Sequence, residues 1–519
     1  RFLSVAKNIF YWCKPSILKK IMMRKLNNKI VAFVVATLAL VSCSDDFTEV
    51  NPPYGINSES YFAAEDDYYN ALIGAYDVLQ STYVNVILGE IASDNANAGG
   101  ESANDVVGWQ QVDRMQHTPI NDNLDDIWDW NFAGVQRAAY IIQNEDKIDF
   151  DGKAQIIAEA RFLRAYFNFE LLKWFGPIPI KPEGQFVLGD VTSFPRSPEE
   201  EVYAFIEEDL TIAIDNLAAV APEVGRATKA SAQALLGKVY LYEENFTGAA
   251  AQLQEVINSG QYHLYGTEAD ENYENLFEYM AENGPESVFE IQYTGAEGAG
   301  FECLQCSEGN VMVGFSGIRG YSGPVFESGY GFNLPTEEAF NSFESGDARQ
   351  EVTVLDIEAW ASANSEVNYN IGSQDPTTGH TGYYNRKYLP RQNDNLGDAN
   401  LTQPNNYRAI RYADVLLMAA EAMVRGNLDE GQARDYLNMV RNRAGLDNVD
   451  SSGNALLEDI YADRRSEMMG EGHRFFDLVR TGRAADNIEG FTTGKHEVFP
   501  IPLEEMQFAN GNWEQNSGY

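Results

Sequence analysis

Two stretches of this chain limit its fold strongly, because each predicts two antiparallel helices with closely spaced backbones. In residues 229–259, apolar residues recur every three or four positions on both sides of a short polar turn. Gly237 and Ala249 lie where the two helices should meet, and antiparallel helices approach closely only where side chains are small. A second copy spans residues 412–444. We therefore expect a mainly α-helical protein built on helical hairpins.

The spacing in both stretches matches the tetratricopeptide pattern. In the first stretch the matching residues are Leu236, Gly237, Tyr240, Ala249, Leu253 and Val256. In the second stretch the facing residues are Ala419, Ala420 and Ala422 on one helix and Ala433, Leu437 and Val440 on the other. The same periodicity predicts helices over residues 66–80, 127–143, 153–175 and 198–219, the last two as a pair. Wide gaps between these copies predict a modified repeat scaffold and not a continuous solenoid.

A segment of different composition, residues 262–405, separates the two clear hairpins. Between Gly295 and Gly331 it contains ten glycines with aromatic residues among them, and it lacks sustained helical periodicity. A second polar segment, residues 93–123, follows the first predicted helix. Ordered loops of this length in a folded protein are usually functional. We expect long loops with some short strands, inserted into the helical scaffold and carrying the binding site.

The charge of the chain excludes several classes of partner. Lys and Arg number 37, Asp and Glu number 78, and the net charge is −41. The first 42 residues carry eight basic residues and no acidic one. The net charge of residues 43–519 is therefore eight units lower, at −49. Such a surface repels nucleic acid and polyanionic ligands. If the protein binds a glycan, we expect a neutral one.

The N-terminal region reads as a targeting segment. Residues 22–42 begin with basic residues and continue with a 12-residue apolar stretch, Ile30 to Val41. This stretch has the length of the apolar region of a signal peptide and is too short to span a bilayer. This stretch ends at Ser42-Cys43, which resembles the lipobox of bacterial lipoproteins and implies cleavage before Cys43 and acylation of its thiol. An ordinary signal peptide followed by a chance cysteine is the alternative. Residues 1–21 are interpreted as an upstream extension and residues 43–64 as the lipid anchor and tether.

Two further cysteines, Cys303 and Cys306, lie in the glycine-rich part of the insert. In an oxidising compartment they could form a small local disulfide. A zinc site would need two more ligands, and the nearby sequence offers none. The pair is interpreted as part of a loop without catalytic function, and its bonding stays open at this stage.

Enzyme motifs are absent from the sequence. The five histidines are widely separated and no H-E-x-x-H occurs. The segment Gly490 to Lys495 is one residue short of a phosphate-binding loop and lacks its Ser or Thr. No EF-hand spacing is present. We therefore expect no metal and no cofactor. A glycoside hydrolase remains an alternative because it needs only two well-placed carboxylates, and a helical-repeat scaffold without a small ligand is a second one.

Several blocks of the sequence together resemble the SusD/RagB family. They are A-E-A-R-F-L-R-A-Y at 158–166 with W-F-G-P-I-P at 174–179, R-Y-A-D-V-L-L at 411–417, R-N-R-A-G-L at 441–446, E-G-H-R at 471–474 and P-I-P at 500–502. They occur in the family's order over nearly all of residues 43–519. Departures such as Met468-Met469, where Leu is commoner in the family, do not affect the resemblance.

The resemblance implies a fold, a location and a partner. The expected fold has four tetratricopeptide-like hairpins beside a loop-rich ligand region, within a SusD-like domain over residues 65–519. The expected protein is anchored by lipid to the outer membrane, faces the exterior, and captures a glycan without catalysis. The expected partner is a SusC-like TonB-dependent transporter. Charged residues of the matched blocks are interpreted as scaffold ion pairs: Arg161, Arg164, Arg411, Asp414, Arg464, Arg465 and Asp477.

Candidate ligand-binding residues are aromatic residues outside the helical stripes and the short polar residues near them, because a sugar offers a C–H face to a ring and hydroxyls to polar groups. The polar segment contributes Asp94, Asn95, Asn97 and Trp109. The insert contributes Arg319, Tyr321, Tyr330, Trp360, Tyr383 and Tyr384. Trp128, Trp130 and Trp174 lie in predicted helices and are assigned to core packing.

Overall fold

Helices form the scaffold of the protein, as the sequence predicts. The computed structural model describes residues 61–102, 104–187, 189–296, 301, 303–370, 380–392 and 401–519. The predicted extension, signal peptide, Cys43 and the tether up to residue 60 lie outside the described residues. The helices are α1 (Glu65–Ser81), α2 (Tyr83–Ile91), α3 (Val107–Asp113), α4 (Asp122–Gln143), α5 (Lys153–Phe175), α6 (Glu199–Asn216), α7 (Lys229–Tyr242), α8 (Phe246–Asn258), α9 (Val311–Ser316), α10 (Glu337–Asn341), α11 (Arg349–Thr353), α12 (Ile357–Ala363), α13 (Tyr412–Arg425), α14 (Glu430–Arg443), α15 (Asn454–Met468), α16 (Arg474–Arg480), α17 (Ala484–Asn487) and α18 (Leu503–Phe508).

Four helical hairpins are packed side by side, which confirms the predicted fold class. The pairs are α1 with α4, α5 with α6, α7 with α8, and α13 with α14. Contacts of α4 with α5, α6 with α7, and α8 with α13 join one pair to the next. Helix α4 begins at Asp122, five residues before the predicted start, because the Asn121 side chain accepts hydrogen bonds from the first-turn amides of Asn123 and Leu124.

The close approach predicted for the third hairpin is present. A Cβ atom on Gly237 of α7 would lie 2.6 Å from Cγ of Leu253 on α8, so no larger side chain fits without displacing the helix. A glycine also allows a close contact between α4 and α5: a Cβ on Gly134 would lie 2.3 Å from the Phe167 ring. Small residues therefore set the spacing between helices within and between hairpins.

Short strands pair in twos within and around the insert. They are β1 (Ala96–Gly99), β2 (Ser287–Ile291), β3 (Ile318–Arg319), β4 (Ser328–Gly329), β5 (Phe332–Pro335), β6 (Val354–Asp356), β7 (Tyr383–Asn385) and β8 (Tyr407–Arg411). The pairs β1–β5, β2–β8 and β6–β7 are antiparallel, and β3–β4 is parallel. The pair β2–β8 brings the two ends of the loop-rich region together, while its predicted boundaries at residues 262 and 405 stay a prediction.

A buried ion network joins the insert to the scaffold. Arg411, at the end of β8, is fully buried and donates hydrogen bonds to Glu286, Glu467 and Glu471 over 2.6–2.9 Å. Lys387, from the insert, adds a bond of 2.7 Å to Glu471. Burial penalises these charges, but the cations outweigh that penalty and hold the pKa of Glu471 below its usual range.

The other charged residues of the matched sequence blocks also pair within the scaffold, as the sequence interpretation expects. Arg161 and Arg164 both bond Asp209 at 2.7–2.9 Å. Asp414 pairs with Arg464, which also bonds Asp477. These charges therefore pair with one another across the contacts between helices.

Removing one member of this network should be far more harmful than removing an exposed ion pair. We expect Arg411→Ala to lower the free energy of unfolding by about 3–5 kcal/mol, because it leaves buried carboxylates without a partner. The measurement is chemical unfolding followed by circular dichroism. Arg137→Ala is the control: its ion pair with Asp77 is half exposed and should contribute only ~0–1 kcal/mol. Equal losses in the two variants would contradict the argument.

Candidate functional site

A cavity of about 500 Å³ opens between α2, α3, α4 and the insert. Seven of the residues that line it are aromatic, and they come from four separate parts of the chain. The aromatic residues are Tyr83, Trp109, Trp130, Phe301, Phe315, Tyr330 and Phe332. The polar residues are Glu101, Asp105, Asn123, Asp126, Gln305 and Arg319.

The buried rings of the cavity hold one another edge to face. The Trp109 ring lies 5.0 Å from both Phe315 and Phe332, at interplanar angles of 71° and 79°. Tyr83 stacks on the other side of Phe315 at 6.3 Å. Edge-to-face and offset pairs are the favourable arrangements of aromatic rings. These residues therefore form a rigid inner wall.

Three rings remain accessible at the mouth of the cavity. Phe301 is 61% exposed, and Trp130 and Tyr330 are partly exposed. Phe301 contacts Tyr330 edge-on at 5.5 Å, and Tyr330 rests on Phe315 of the inner wall. The rigid wall thus supports ring surfaces that a ligand can cover.

Helix α4 supplies a second group of side chains to the cavity. Asn123, Asp126 and Trp130 are spaced by three and four residues, so they lie on one flank of the helix. This flank lies outside the buried stripe, which contains Ile127 and Val135. A tryptophan, an amide and a carboxylate therefore project together from one rigid element.

Arg319 fixes the opposite polar side of the cavity. Its guanidinium donates to the Tyr330 carbonyl oxygen and lies 3.5 Å from Asp105 and 4.0 Å from Glu101. Asp105 also accepts a hydrogen bond of 2.8 Å from the Glu101 amide. The rim therefore presents several carboxylate oxygens around one cation that is already paired.

The backbone at the cavity is strained at Val106, which precedes α3. Its φ is 44°, a left-handed conformation that is unusual for a β-branched residue. Such strain persists only where the surrounding structure imposes it, and it concentrates at functional sites. Here it directs α3, and with it Trp109, against the inner wall.

A disulfide closes the loop at the edge of the cavity. Cys303 and Cys306 are bonded, with their Cα atoms 5.3 Å apart. Leu304 and Gln305, the two residues inside this ring, line the cavity. The cysteine pair that the sequence left open therefore has a structural role next to the candidate site.

Comparison with known proteins identifies the family. Residues 285–519 match the SusD family, and residues 46–241 match a family described as starch-binding and associating with the outer membrane. A solved laminarin-binding SusD-like protein is 34% identical, with a TM-score of 0.79 over 88% of this chain and 99% of that one. The chain belongs to the SusD/RagB family.

Two further relatives agree over comparable lengths. Surface glycan-binding protein A from Bacteroides fluxus is 27% identical, with a TM-score of 0.77 over 88% of this chain and 100% of that one. SusD-like protein P2 of Formosa agariphila is 25% identical over 94% of this chain and 99% of its own length. The predicted class is thereby confirmed: this is a SusD-like surface glycan-binding protein associated with the outer membrane, and not an enzyme.

The cavity of this SusD-like protein brings together three of the residues predicted from the sequence, Trp109, Arg319 and Tyr330. Trp109 was expected in a loop, which is wrong: it lies in α3 and is only 2% exposed. The polar segment around it contains this short helix, in which Trp109 and Val112 are buried, and strand β1.

The predicted residues of the polar segment other than Trp109 contact the scaffold. Arg474 donates to both carboxylate oxygens of Asp94 at 2.8 Å. Asn95 is buried and bonds Glu90 and Arg465. Asn97 lies in β1, opposite Leu334 of β5.

The remaining predicted residues of the insert pack within it. Tyr321 and Tyr384 are in its hydrophobic core, and the Trp360 indole donates to the Tyr321 hydroxyl at 3.0 Å. Tyr383 stacks on Phe340 at 4.4 Å. These residues, like Asp94, Asn95 and Asn97, are not in the cavity, so the site proposed below does not include them.

Trp130 is one of the cavity residues that sequence reasoning missed, together with Phe301 and the polar residues Asp105, Asn123, Asp126 and Gln305. Its position in a helix suggested core packing, which agrees with the burial of Trp174 and Trp128. Trp130 instead lies in the cavity wall. The signal was available, because Trp130 shares the polar flank of its helix with Asn123 and Asp126 and is out of phase with the apolar stripe.

The carboxylate of Asp126 should make stability depend on pH. Burial, together with the charge of Asp125, raises its pKa from 3.8 to about 6 despite a hydrogen bond from Asn123. Because the folded-state pKa is raised, ionisation costs stability as the pH rises through this range. We expect Asp126→Asn to melt above the wild type, with a difference that grows from pH 3.8 to about 6 and then stays constant.

Asp94→Asn is the control, because its change in melting temperature should have the opposite sign. Burial opposes ionisation of Asp94, but Arg474 and Arg465 outweigh it, so the pKa of Asp94 is lowered. This variant should melt below the wild type at neutral pH, and the loss should fade as the pH falls below the ordinary carboxyl range. Melting curves from below the ordinary carboxyl range up to neutral pH test both signs. A pH-independent difference at Asp126 would contradict the assignment.

Proposed function

We propose that this protein captures a neutral glucan of the laminarin type in the 500 Å³ cavity and passes it to a transporter. The observation that carries the proposal is the meeting of three accessible rings, Trp130, Phe301 and Tyr330, with a polar rim in one cavity. A pyranose ring has C–H faces that lie well on aromatic rings and hydroxyls that need fixed partners at its edge.

The polar groups suit hydroxyl recognition. Asp105 and Asp126 offer carboxylate oxygens as acceptors, whereas Asn123 and Gln305 offer amides that can both donate and accept. Arg319 can donate from the same rim while it keeps its contact with Asp105. Groups of this kind hold a sugar at several points and require no chemical step.

The charge around the cavity favours a neutral ligand. Glu101, Asp105 and Asp126 line the cavity together with a single arginine, Arg319, which is already close to Glu101 and Asp105. A sulfated or uronic-acid chain would meet like charge at short range, where salt screens it little. The net charge of −41 acts in the same direction.

The choice of glucan rests on the most similar solved structure reported above. That protein is a laminarin-binding SusD-like protein, and this chain covers 99% of it at 34% identity. Laminarin is a neutral polymer of glucose, so it also satisfies the charge argument. We therefore favour laminarin over charged algal or host glycans.

Two phenylalanines with equal exposure provide a matched test of the cavity. Phe301 and Phe508 are both 61% exposed, but only Phe301 lies at the cavity. We expect Phe301→Ala and Trp130→Ala each to weaken laminarin binding about 2- to 12-fold, the range of one aromatic contact, with little change in melting temperature. Phe508→Ala should bind as the wild type does. The measurement is isothermal titration calorimetry.

The outcome that contradicts the site is equally specific. If Phe301→Ala and Trp130→Ala both bind laminarin normally, the glucan does not use this cavity. If the wild type binds no neutral glucan but binds a sulfated one, the proposed ligand class is wrong.

The anchor and the partner are part of the same proposal. The lipobox-like Ser42-Cys43 supports lipidation at Cys43, and the similarity to SusD proteins supports a SusC-like TonB-dependent transporter as the partner. A protein that binds a glycan without transporting it needs such a partner if the glycan is to enter the cell.

One fractionation experiment tests anchor and partner together. The wild type should be found in the outer-membrane fraction, and mild detergent should extract it with a TonB-dependent barrel. Cys43→Ala should move the protein to the soluble fraction and lose the barrel. A variant that stays in the membrane would contradict the lipid anchor. Extraction of the wild type alone, from membranes that contain the barrel, would contradict the partner.

A further inference from the structure

A second aromatic cavity lies on the other flank of α4. Its volume is about 150 Å³, and it lies between α4, the segment around Phe186 and the C-terminal segment. The residues that line it include four rings, those of Trp128, Phe132, Phe186 and Trp513. None of these residues lines the first cavity.

The rings of the second cavity form an inner wall and an accessible pair, as in the first cavity. Trp128 and Trp513 are buried 6.0 Å apart, and the Trp513 indole donates to the Phe194 carbonyl oxygen at 2.8 Å. Phe132 lies 4.7 Å from Trp128, and Phe186 meets Phe132 edge-on at 6.3 Å. Phe132 and Phe186 are partly exposed, so their surfaces are accessible to a ligand.

Polar groups suited to hydroxyls border these rings. Asp129 and Glu505 provide carboxylates, and the Gln136 side chain is fixed by a 2.9 Å hydrogen bond from the Phe186 amide. Burial and the charge of Asp129 raise the pKa of Glu505 to about 7. A carboxyl group with a pKa this high can act as donor or acceptor at neutral pH, which suits a hydroxyl ligand.

Helix α4 connects the two cavities. Its residues Asn123, Asp126 and Trp130 face the first cavity, whereas Phe132 and Gln136 face the second. The helical period of 3.6 residues puts these two sets on opposite flanks, separated by about 10–12 Å across the helix. Between them the outer face carries further carboxylates, and Asp126 and Asp129 are close enough to affect each other's ionisation.

We propose that the second cavity is a further subsite for the same glucan chain, which crosses the outer face of α4 from one cavity to the other. The proposal rests on the proposed function, because it takes its ligand from the first cavity. The evidence for the second cavity itself is that its composition repeats that of the first. Both contain accessible aromatic rings, amide side chains and carboxylates, and α4 contributes residues to both. A chain long enough to reach both cavities gains a second contact, while a short oligosaccharide uses only the first.

The test compares chain lengths. Isothermal titration calorimetry should be run with a short laminarin oligosaccharide that fills only the first cavity and with a long one that can cross α4. In the wild type the long chain should bind more tightly. In Phe186→Ala, and in the double variant Phe132→Ala/Phe186→Ala, the ratio of long-chain to short-chain affinity should fall about 2- to 12-fold. Tyr279→Ala is the control: this ring is exposed and lines neither cavity, so the variant should leave the ratio unchanged.

The outcomes separate this proposal from the proposed function. If Trp130→Ala weakens both oligosaccharides while Phe186→Ala keeps the wild-type ratio, the first cavity is the glucan site and the second subsite is wrong. An equal loss for both chain lengths in Phe186→Ala would also overturn the subsite. If the wild type binds neither oligosaccharide, the proposed function fails and the subsite fails with it.

Discussion

The arrangement of the protein depends on the ion pairs that the buried side chain of Arg411 forms. Arg411 lies where β8 becomes α13, and it bonds carboxylates from three other places: the start of β2, the end of α15 and the turn that follows α15. The last two of these places are neighbours, but both are far in the chain from the start of β2. Because a buried guanidinium is stable only when its partners are all present, the insert, the fourth hairpin and the C-terminal helices must assemble in one arrangement.

The geometry that this ion network specifies also fixes the position of the binding surface. A buried ion pair is no more stable than a well-packed apolar contact, so its value lies in the geometry that it specifies. Glu90 extends the same geometry toward the cavity, since it accepts hydrogen bonds from the amides of Gly470 and Gly472 while it belongs to α2. Tyr83 of α2 and Phe315 of the insert thereby meet as fixed walls of the cavity, and few of the charged groups of the scaffold are left for the ligand.

The sequence predicts the hairpins well because their signal is local. Gly237 and the apolar positions around it are enough to indicate two helices in close contact, and the structure agrees. The binding surface is harder to predict because it depends on contacts between distant segments. Tyr321 and Trp109 look alike in the sequence, as aromatic residues among polar and glycine neighbours, yet one lies in the core of the insert and the other in the cavity wall. Only the three-dimensional contacts distinguish them.

The antiparallel pairing of β2 with β8 has a consequence for how such a protein can change. Ile291 lies opposite Tyr407, so the loop-rich segment leaves the helical scaffold and returns to it at neighbouring points. The loop-rich segment is thus an insertion into the scaffold. Its length and composition can vary while its two points of attachment stay the same. Changes in this segment can therefore alter its side of the cavity, while the side formed by α2, α3 and α4 stays in place.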